Sequence, residues 1–265
     1  MKYKCLSIAG FDGSGGAGIQ ADLKTFSALG CYGMTVLTTL PVQNTCGVRN
    51  CYKIPLKAIE EQLEAIFDDI IPDSIKIGML FSEPIIEMVA NFLGKHAVNI
   101  PIVLDPVMVA KSGDALLLPA AIEALKIKLI PLSTIITPNL PEAYALAGEI
   151  KNFEELGEKL LKLVPKAVLL KGGHSGGNTS DDLFLDQRGV RQYLRSARIK
   201  SKNTHGTGCT LSAAICAFLA QGVSLFEACE RAKHYLFQAM LASKESSVGQ
   251  GYGPVHHFYH LWPKN

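Results

Sequence analysis

The chain has 265 residues, a formal net charge of +2 and a hydrophobic fraction of 48%. This length fits one large α/β domain or two small ones, and it is enough to bury a substantial core. The charge is nearly balanced and no long basic run occurs, so we expect no nucleic-acid or membrane partner. No apolar stretch reaches the roughly 18 residues of a membrane span. The seven cysteines include no CxxC pair, so we expect a reduced, cytoplasmic protein.

Short apolar runs alternate with amphipathic segments along the first two thirds of the chain. The apolar runs predict strands covered on both faces at residues 4–9, 35–40, 74–78, 102–105, 134–137 and 167–170. A period near 3.6 predicts helices at residues 19–29, 56–69, 83–95, 119–129, 141–147 and 153–163. Strands separated by helices indicate βαβ units, and therefore an α/β fold with a mostly parallel sheet.

The pattern changes after residue 182. Three short, closely spaced runs within residues 182–199 predict an antiparallel ribbon, and helices follow at 209–221 and 224–243. We see no linker, repeat or low-complexity tract. We therefore expect residues 1–265 to form a single domain.

Polar and glycine residues follow every predicted strand of the parallel part. Because the carboxyl ends of parallel strands meet at one edge of the sheet, these residues should lie together, where such folds bind ligands. The set comprises Gly10, Asp12, Gln43, Asn44, Gly78, Met79, Asp105, Asn139, Lys171, Gly172 and Gly173. These residues form six groups, one after each predicted strand, and six groups at the same edge predict a binding site.

A glycine-rich loop, Asp12-Gly-Ser-Gly-Gly-Ala-Gly18, joins the first strand to the first helix. Its Gly13-x-Gly15-x-x-Gly18 spacing fits a dinucleotide-binding fingerprint, which also needs an acidic residue about 20 positions on to hold the ribose. Residues 37–43 contain no acid, so we reject a dehydrogenase. The phosphate-binding GxxxxGK[ST] pattern is absent as well.

A second glycine turn precedes the helix at 209–221. In Gly206-Thr-Gly208-Cys209 the glycines allow a tight backbone whose N–H groups face outward at a helix N-terminus. Such an arrangement suits the charge that develops on a transferred phosphoryl group. The alternative is an ordinary helix start.

These motifs together resemble the hydroxymethylpyrimidine/phosphomethylpyrimidine kinase family of thiamine biosynthesis, within the ribokinase-like superfamily. The matching stretches are residues 9–25, 43–45, 76–80, 105–108, 137–143, 171–174, 203–210 and 253–258. The resemblance implies a three-layer α/β/α fold and a homodimer. It also implies ATP-dependent phosphorylation of 4-amino-5-hydroxymethyl-2-methylpyrimidine, and then of its monophosphate to give the pyrophosphate.

The same resemblance assigns an acceptor site. Gln43 would hydrogen-bond the pyrimidine edge, because an amide offers a donor and an acceptor together. Asp22 would bind the amino or hydroxymethyl group, Met79 and Val107 would hold the ring between them, and Gly10 would let the substrate approach the backbone. The alternatives are a turn-capping Gln43, a solvated Asp22 and plain core roles for Met79 and Val107.

A nucleotide and magnesium group is implied at the neighbouring strands. Asp105 and Glu142 would hold Mg²⁺, which is usually bound by one or two carboxylates and substrate phosphates. Asn139, Lys171 and Lys233 would bind ATP. Glu142 could instead serve only the dipole of its helix, Lys171 could simply end a strand, and Lys233 could lie on a solvated face.

Cys209, Gly206 and Gly208 are the predicted catalytic residues. Cys209 stands where related sugar kinases have an aspartate base, and we expect the helix N-terminus to lower the pKa of its thiol. His205 would orient this turn rather than act as a base. For the adjacent His256 and His257 we favour a packing or substrate-edge role over a metal site.

Two other functions stay open at this point. A pyridoxal-type vitamin kinase of the same superfamily would also phosphorylate a small hydroxymethyl heteroaromatic compound. A non-catalytic pyrimidine sensor would keep the fold without transfer. The sensor is disfavoured because the candidate nucleotide, metal and catalytic residues are all present: Asp105, Asn139, Glu142 and the Gly206–Cys209 turn.

Overall fold

The computed structural model describes residues 2–108, 119–163, 166–173 and 177–262. In this part of the chain the strands are β1 Lys4–Ala9, β2 Tyr32–Leu37, β3 Thr39–Asn44, β4 Gly47–Lys53, β5 Ser74–Ile77, β6 Ile102–Leu104, β7 Ile135–Ile136, β8 Ala167–Leu170, β9 Asp182–Asp186 and β10 Arg191–Leu194. The α-helices are α1 Gly18–Ala28, α2 Leu56–Phe67, α3 Glu83–His96, α4 Pro119–Ala124, α5 Leu140–Ala147, α6 Phe153–Leu161, α7 Thr207–Ala220 and α8 Leu225–Ala242. His174, which belongs to one of the matched motifs, lies outside the described residues.

The described strands form a central sheet in the order β10-β9-β8-β7-β6-β5-β1-β2. All pairs from β2 through β8 are parallel, which confirms the predicted parallel core. The antiparallel pairs β8–β9 and β9–β10 extend this sheet at one edge. The last run of the predicted ribbon, residues 197–199, is not a strand, and Ala197 forms an isolated bridge with Thr179.

Helices cover both faces of the sheet, which gives the expected three layers. Leu6 and Ile8 of β1 belong to the hydrophobic core shared with helices α2 to α6. Cys5 of the same strand belongs to the core shared with α1, α7 and α8. Because alternate strand residues face opposite sides and both sides are covered, Cys5 to Ala9 of β1 are buried on both faces of the sheet.

A two-stranded antiparallel ribbon, β3–β4, stands apart from the central sheet. The sequence predicted one strand at residues 35–40, but the chain leaves the sheet at Thr38, whose Oγ1 donates to the Met79 carbonyl at 2.6 Å. The pairing shifts register between Val42 and Gln43, so the ribbon contains a bulge beside Gln43. Bulges redirect side chains and are common next to active sites.

The helix predicted at residues 119–129 is shorter than expected. Helix α4 ends at Ala124 and continues as a π-helical turn, Leu125–Leu129, and a 3-10 turn, Ile130–Leu132. Pro131 has no N–H with which to continue an α-helix. Across the described ranges, no helix is long and apolar enough to cross a membrane.

Candidate active site

The two glycine turns predicted from the sequence meet each other at the carboxyl edge of the sheet. The Asp12 carboxylate accepts hydrogen bonds from the backbone N–H groups of Ser14, Gly16 and Ala17, at 2.8–3.0 Å. Its Oδ2 atom also lies 2.7 Å from Nε2 of His205, on the second turn. Burial alone would raise the pKa of the Asp12 carboxyl, but the hydrogen bonds from His205 and Ser14 hold it below its usual value.

Backbone packs directly against backbone where the turns touch. A Cβ atom at Gly206 would overlap the Gly16 carbonyl oxygen, and one at Gly16 would overlap the His205 ring. Gly206 also has a φ of 75°, a conformation that favours glycine. The turn therefore needs glycine at position 206 for both reasons.

Cys209 lies in the first turn of α7, close to the start of α1. Burial raises the pKa of its thiol to about 11, although the Lys76 ammonium and the Gly18 N–H act to lower it. The expectation of a lowered thiol pKa is therefore wrong in direction, because loss of solvation outweighs the effects of the Lys76 ammonium and the Gly18 N–H. The thiol is neutral at pH 7.

Gly10, Met79 and Gln43, three of the predicted acceptor residues, lie beside the loop that follows β1. Gly10 faces Met79, since a Cβ at Gly10 would lie 3.5 Å from the Met79 sulfur. Gln43 points from the ribbon bulge to the same loop, where its Nε2 lies 3.4 Å from the Phe11 carbonyl. Val107 follows β6, and its N–H donates to the Asp105 carbonyl at 2.8 Å.

Asp22 is placed differently from the sequence-based expectation. Its side chain is 0% exposed and pairs with Lys76, whose Nζ lies 2.8 and 3.0 Å from the two carboxylate oxygens. Ser7 Oγ donates to Oδ2 at 2.5 Å. Both oxygens are thus engaged inside the protein, so Asp22 neither faces an acceptor directly nor lies on a solvated face.

Lys76 is the charged residue that sequence reasoning did not single out. Burial alone would lower the pKa of its ammonium, but the Asp22 carboxylate raises it above its usual value, so Lys76 is charged. Its position was signalled by one lysine in the otherwise apolar centre of a strand, Ser74–Ile77. A Cβ at Gly78 would lie 2.8 Å from the lysine Nζ, which explains the glycine there.

Asp105, Lys171 and Glu142 form a second charged group beside the second turn. Lys171 Nζ lies 3.0 Å from Asp105 Oδ1 and 3.9 Å from Glu142 Oε2. Gly208 borders this group, since a Cβ there would lie 3.2 Å from Asp105 Oδ2 and 3.4 Å from Lys171 Nζ. Burial raises the pKa of Glu142 to about 7, while Lys171 opposes this rise.

Asn139 and Lys233 occupy positions around this group. Asn139 caps α5: its side chain accepts from the Glu142 N–H, and the Glu142 carboxylate accepts from the Asn139 N–H. Lys233 on α8 pairs with Asp182 at 2.7 Å, and Asp182 also accepts from the Gly172 N–H at 2.9 Å. Lys233 is 8% exposed, so it does not lie on a solvated face.

Asp105 and Glu142 are the carboxylates that were predicted to hold a metal ion. The described ranges contain no cluster of three or more His, Cys, Asp or Glu side chains able to hold a metal. Asp105 and Glu142 nevertheless fit the way Mg²⁺ binds in phosphoryl-transfer sites, where one or two carboxylates act with substrate phosphates and water. His256 and His257 belong to no such cluster among the described residues. Burial lowers the pKa of His257 to about 3, and its Nε2 lies 3.1 Å from Thr210 Oγ1.

The ribokinase-like three-layer fold, together with the glycine turn beside Asp105 and Lys171, defines a small-molecule kinase. The model of the family described as phosphomethylpyrimidine kinase matches residues 12–256. The chain belongs to this family, whose members are phosphotransferases.

Known relatives agree with this assignment. The hydroxymethylpyrimidine/phosphomethylpyrimidine kinase of Salmonella typhimurium is 48% identical over 99% of this chain and 100% of its own length. The crystal structure of phosphomethylpyrimidine kinase from Clostridium difficile has a TM-score of 0.77 at 45% identity, over 89% of this chain and 98% of that one. The ADP complex of Bacillus subtilis pyridoxal kinase has a TM-score of 0.88 at 38% identity, over 97% and 98% of the two chains.

Proposed function

We propose that this protein transfers phosphate from ATP to 4-amino-5-hydroxymethyl-2-methylpyrimidine, and then to the resulting monophosphate to give the pyrophosphate. The observation that carries the proposal is the junction of the two glycine turns. The acceptor loop, Asp12–Gly18, is packed against the Gly206–Cys209 turn, whose other side borders Asp105 and Lys171. An acceptor held at the first turn would thus lie next to the groups that stabilise a transferred phosphoryl group.

The acceptor site uses the ribbon and the loops after β5 and β6. Gln43 would read the pyrimidine edge with its amide, and the bulge beside it supports this role because it turns the side chain towards the glycine loop. Met79 and Val107 would contact the ring faces, and Gly10 would let the substrate approach the backbone. Asp22 would act on this site indirectly, by fixing the Lys76 ammonium.

Phosphoryl transfer would depend on positioning and charge neutralisation. The backbone N–H groups of the Gly206–Cys209 turn and the Lys171 ammonium would stabilise the phosphoryl oxygens. Asp105 and Glu142 would hold Mg²⁺, which supplies further neutralisation of phosphate charge when bound.

The ATP-binding site would involve Asn139, Lys171 and Lys233. Of these three residues, Lys171 lies closest to the Gly206–Cys209 turn, because a Cβ at Gly208 would be 3.4 Å from its Nζ. Asn139 orders the start of α5 and so orients Glu142. Lys233 would act through Asp182, which holds the backbone of Gly172 directly after Lys171.

A neutral Cys209 suits two acceptors of different charge. The monophosphate is mostly dianionic at pH 7, because the second pKa of a phosphate monoester is about 6, and it needs no base. A permanently ionised side chain at position 209 would repel it, whereas a thiol with a pKa near 11 does not. The hydroxymethyl group of the first acceptor can also hydrogen-bond to a thiol.

A second candidate function is pyridoxal phosphorylation, which the likeness to Bacillus subtilis pyridoxal kinase supports. An ATP-depletion assay with hydroxymethylpyrimidine, pyridoxal and no acceptor separates the candidates. We expect depletion with hydroxymethylpyrimidine. Depletion with pyridoxal alone would favour the second function, and no depletion with either acceptor would exclude both kinase functions.

We also propose that residues 1–265 act as one kinase domain, as a homodimer in the cytoplasm. The seven cysteines are all free, which supports a reducing compartment. Val42 and Tyr52 of the ribbon are 42% and 56% exposed, an apolar surface that a second copy could cover. Light scattering of the purified protein at micromolar concentration tests the dimer.

A further inference from the structure

The C-terminal segment 249–257, which we call the strap, connects three parts of the molecule. We propose that the strap positions Gln43, and thereby sets the affinity for the acceptor, through contacts of Gly251 and Tyr252 with Thr45 at the ribbon tip. This inference rests on the proposed function, since it assumes that Gln43 binds the acceptor.

The first contact of the strap is with the turn between β3 and β4. The Tyr252 N–H donates to the Thr45 carbonyl at 2.9 Å, and the Gly251 N–H donates to Thr45 Oγ1 at 3.2 Å. A Cβ at Gly251 would overlap the Thr45 carbonyl oxygen, and one at Gly249 would overlap the Thr45 side chain. Only glycine allows the strap to approach the ribbon this closely.

The second contact of the strap is with His205, directly before the Gly206–Cys209 turn. The His205 N–H donates to the Gly253 carbonyl at 3.0 Å, and His205 forms an isolated parallel bridge with Pro254. Asn203 leaves no space for a side chain at Gly253, because a Cβ there would overlap its Oδ1 atom. The strap therefore joins the ribbon tip to the turn that carries Cys209.

The strap is anchored at its far end in the protein core. His257 is 3% exposed, its Nε2 lies 3.1 Å from Thr210 Oγ1, and its carbonyl accepts from Tyr235 OH at 2.7 Å. The His256 N–H donates to the Ala239 carbonyl on α8 at 3.1 Å. The strap is thus anchored by the His257 side chain and by the backbone of both histidines.

The ribbon needs such support because an isolated two-stranded hairpin is at best marginally stable in water. Its outer residues Val42, Asn50 and Tyr52 are exposed. Gln43 lies only two residues before Thr45, so a shift of the tip moves the amide that would read the pyrimidine. Thr45, Gly251 and Tyr252 are therefore positioning residues, with no direct contact to the acceptor required.

The test variant is Gly251→Ala, with Gly94→Ala as its matched control. Gly94 lies in α3, where a Cβ would come no closer than 3.9 Å to any other group. We expect Gly251→Ala to raise the acceptor KM about tenfold, which corresponds to about 1.4 kcal/mol, and to leave the ATP KM within about twofold. Thr45→Val removes only the Oγ1 contact, and we expect a smaller change in the same direction.

A purely structural role would change both KM values together, so a double-mutant cycle with Gln43→Ala separates the two explanations. If the strap acts through Gln43, Gly251→Ala adds less than about twofold to the acceptor KM of the Gln43→Ala variant. An equal tenfold effect on both backgrounds, a parallel rise of both KM values, or an unchanged acceptor KM would overturn the proposal.

Hydrogen exchange without substrate tests the strap separately from the proposed function. We expect faster amide exchange at residues 42–46 in Gly251→Ala than in the wild type and in Gly94→Ala. Unchanged exchange there would overturn the proposal. If the wild type forms no phosphorylated pyrimidine, the proposed function fails, and the exchange comparison alone decides whether the strap holds the ribbon.

Discussion

Oδ2 of Asp12 lies 2.7 Å from Nε2 of His205, although the two residues are 193 positions apart in the chain. This contact fixes the loop that launches α1 to the turn that begins α7. Asp12 is 0% exposed, so water does not compete for its carboxylate. The two glycine turns are thus held together by a partly buried contact.

Replacing His205 should therefore impair catalysis more than stability. We expect His205→Asn to lower kcat by about tenfold or more, because loss of the bond to Asp12 lets the N–H groups of the second turn shift from the phosphoryl group. The measurement is steady-state kinetics with both substrates. His234→Asn, on an exposed histidine of α8, is the control. An unchanged kcat in His205→Asn would show that the contact does not position the turn.

The buried pair of Asp22 and Lys76 gives a prediction for stability. Lys76→Met leaves an unpaired carboxylate in the core, and we expect the free energy of unfolding to fall by about 3–5 kcal/mol. The double variant Asp22→Leu/Lys76→Met removes both charges and should recover most of this loss. Urea denaturation measures both effects, with Lys57→Met at an exposed site as the control. A double variant no more stable than Lys76→Met would contradict the argument.

His257 predicts a pH dependence of stability. Burial, with smaller effects of Lys24 and His256, lowers its pKa to about 3 in the folded protein, against about 6.5 in an unfolded chain. As the pH falls, the His257 imidazole is therefore protonated in the unfolded chain before it is protonated in the folded protein. The stabilisation by neutral His257 is complete above about pH 6.5 and is lost as the pH falls towards 3.

The measurement compares urea unfolding at pH 7 and pH 4 in the wild type and His257→Gln. Between these values the protonation of His257 should account for about 3 kcal/mol of the wild-type loss. The variant should lose correspondingly less, because it cannot take up this proton. Equal losses in the two proteins would show that His257 does not titrate differently on unfolding.

Cys209→Asp tests why a thiol stands at this position. An ionised aspartate should impair the second phosphorylation more than the first, because it repels the dianionic monophosphate but can serve as a base for the hydroxymethyl group. Each step is measured separately, with the alcohol or the monophosphate as acceptor. Cys209→Ser, which stays neutral, is the control. Equal impairment of the two steps in Cys209→Asp would refute the charge argument.

The parallel core could be predicted from the sequence because its signals are local. β1 and β8 begin and end where the apolar runs do, and Asn152 caps α6 directly before the residues predicted as helical. The ribbon could not be predicted in the same way. β3 contains Pro41, which argues against a strand, and the exposed ribbon lacks the apolar run that marks a buried one.

The candidate site likewise contains residues whose proximity could be predicted from the sequence and residues whose pairing could not. Asp105, Lys171 and Glu142 follow strands that meet at one edge, so the topology alone brought them together. The pairing of Asp22 with Lys76 joins residues 54 positions apart, and no spacing rule links them. The raised pKa of Cys209 also required the structure, because it follows from the loss of solvation around the thiol.

The central claim is that one site phosphorylates the pyrimidine twice. Mass spectrometry of the products formed from hydroxymethylpyrimidine and Mg-ATP tests it most directly, because each transfer adds one phosphate to the mass of the acceptor. We expect the monophosphate to appear first and then to be converted to the pyrophosphate. An acceptor that gains no phosphate, or that stops at the monophosphate with ATP in excess, would contradict it.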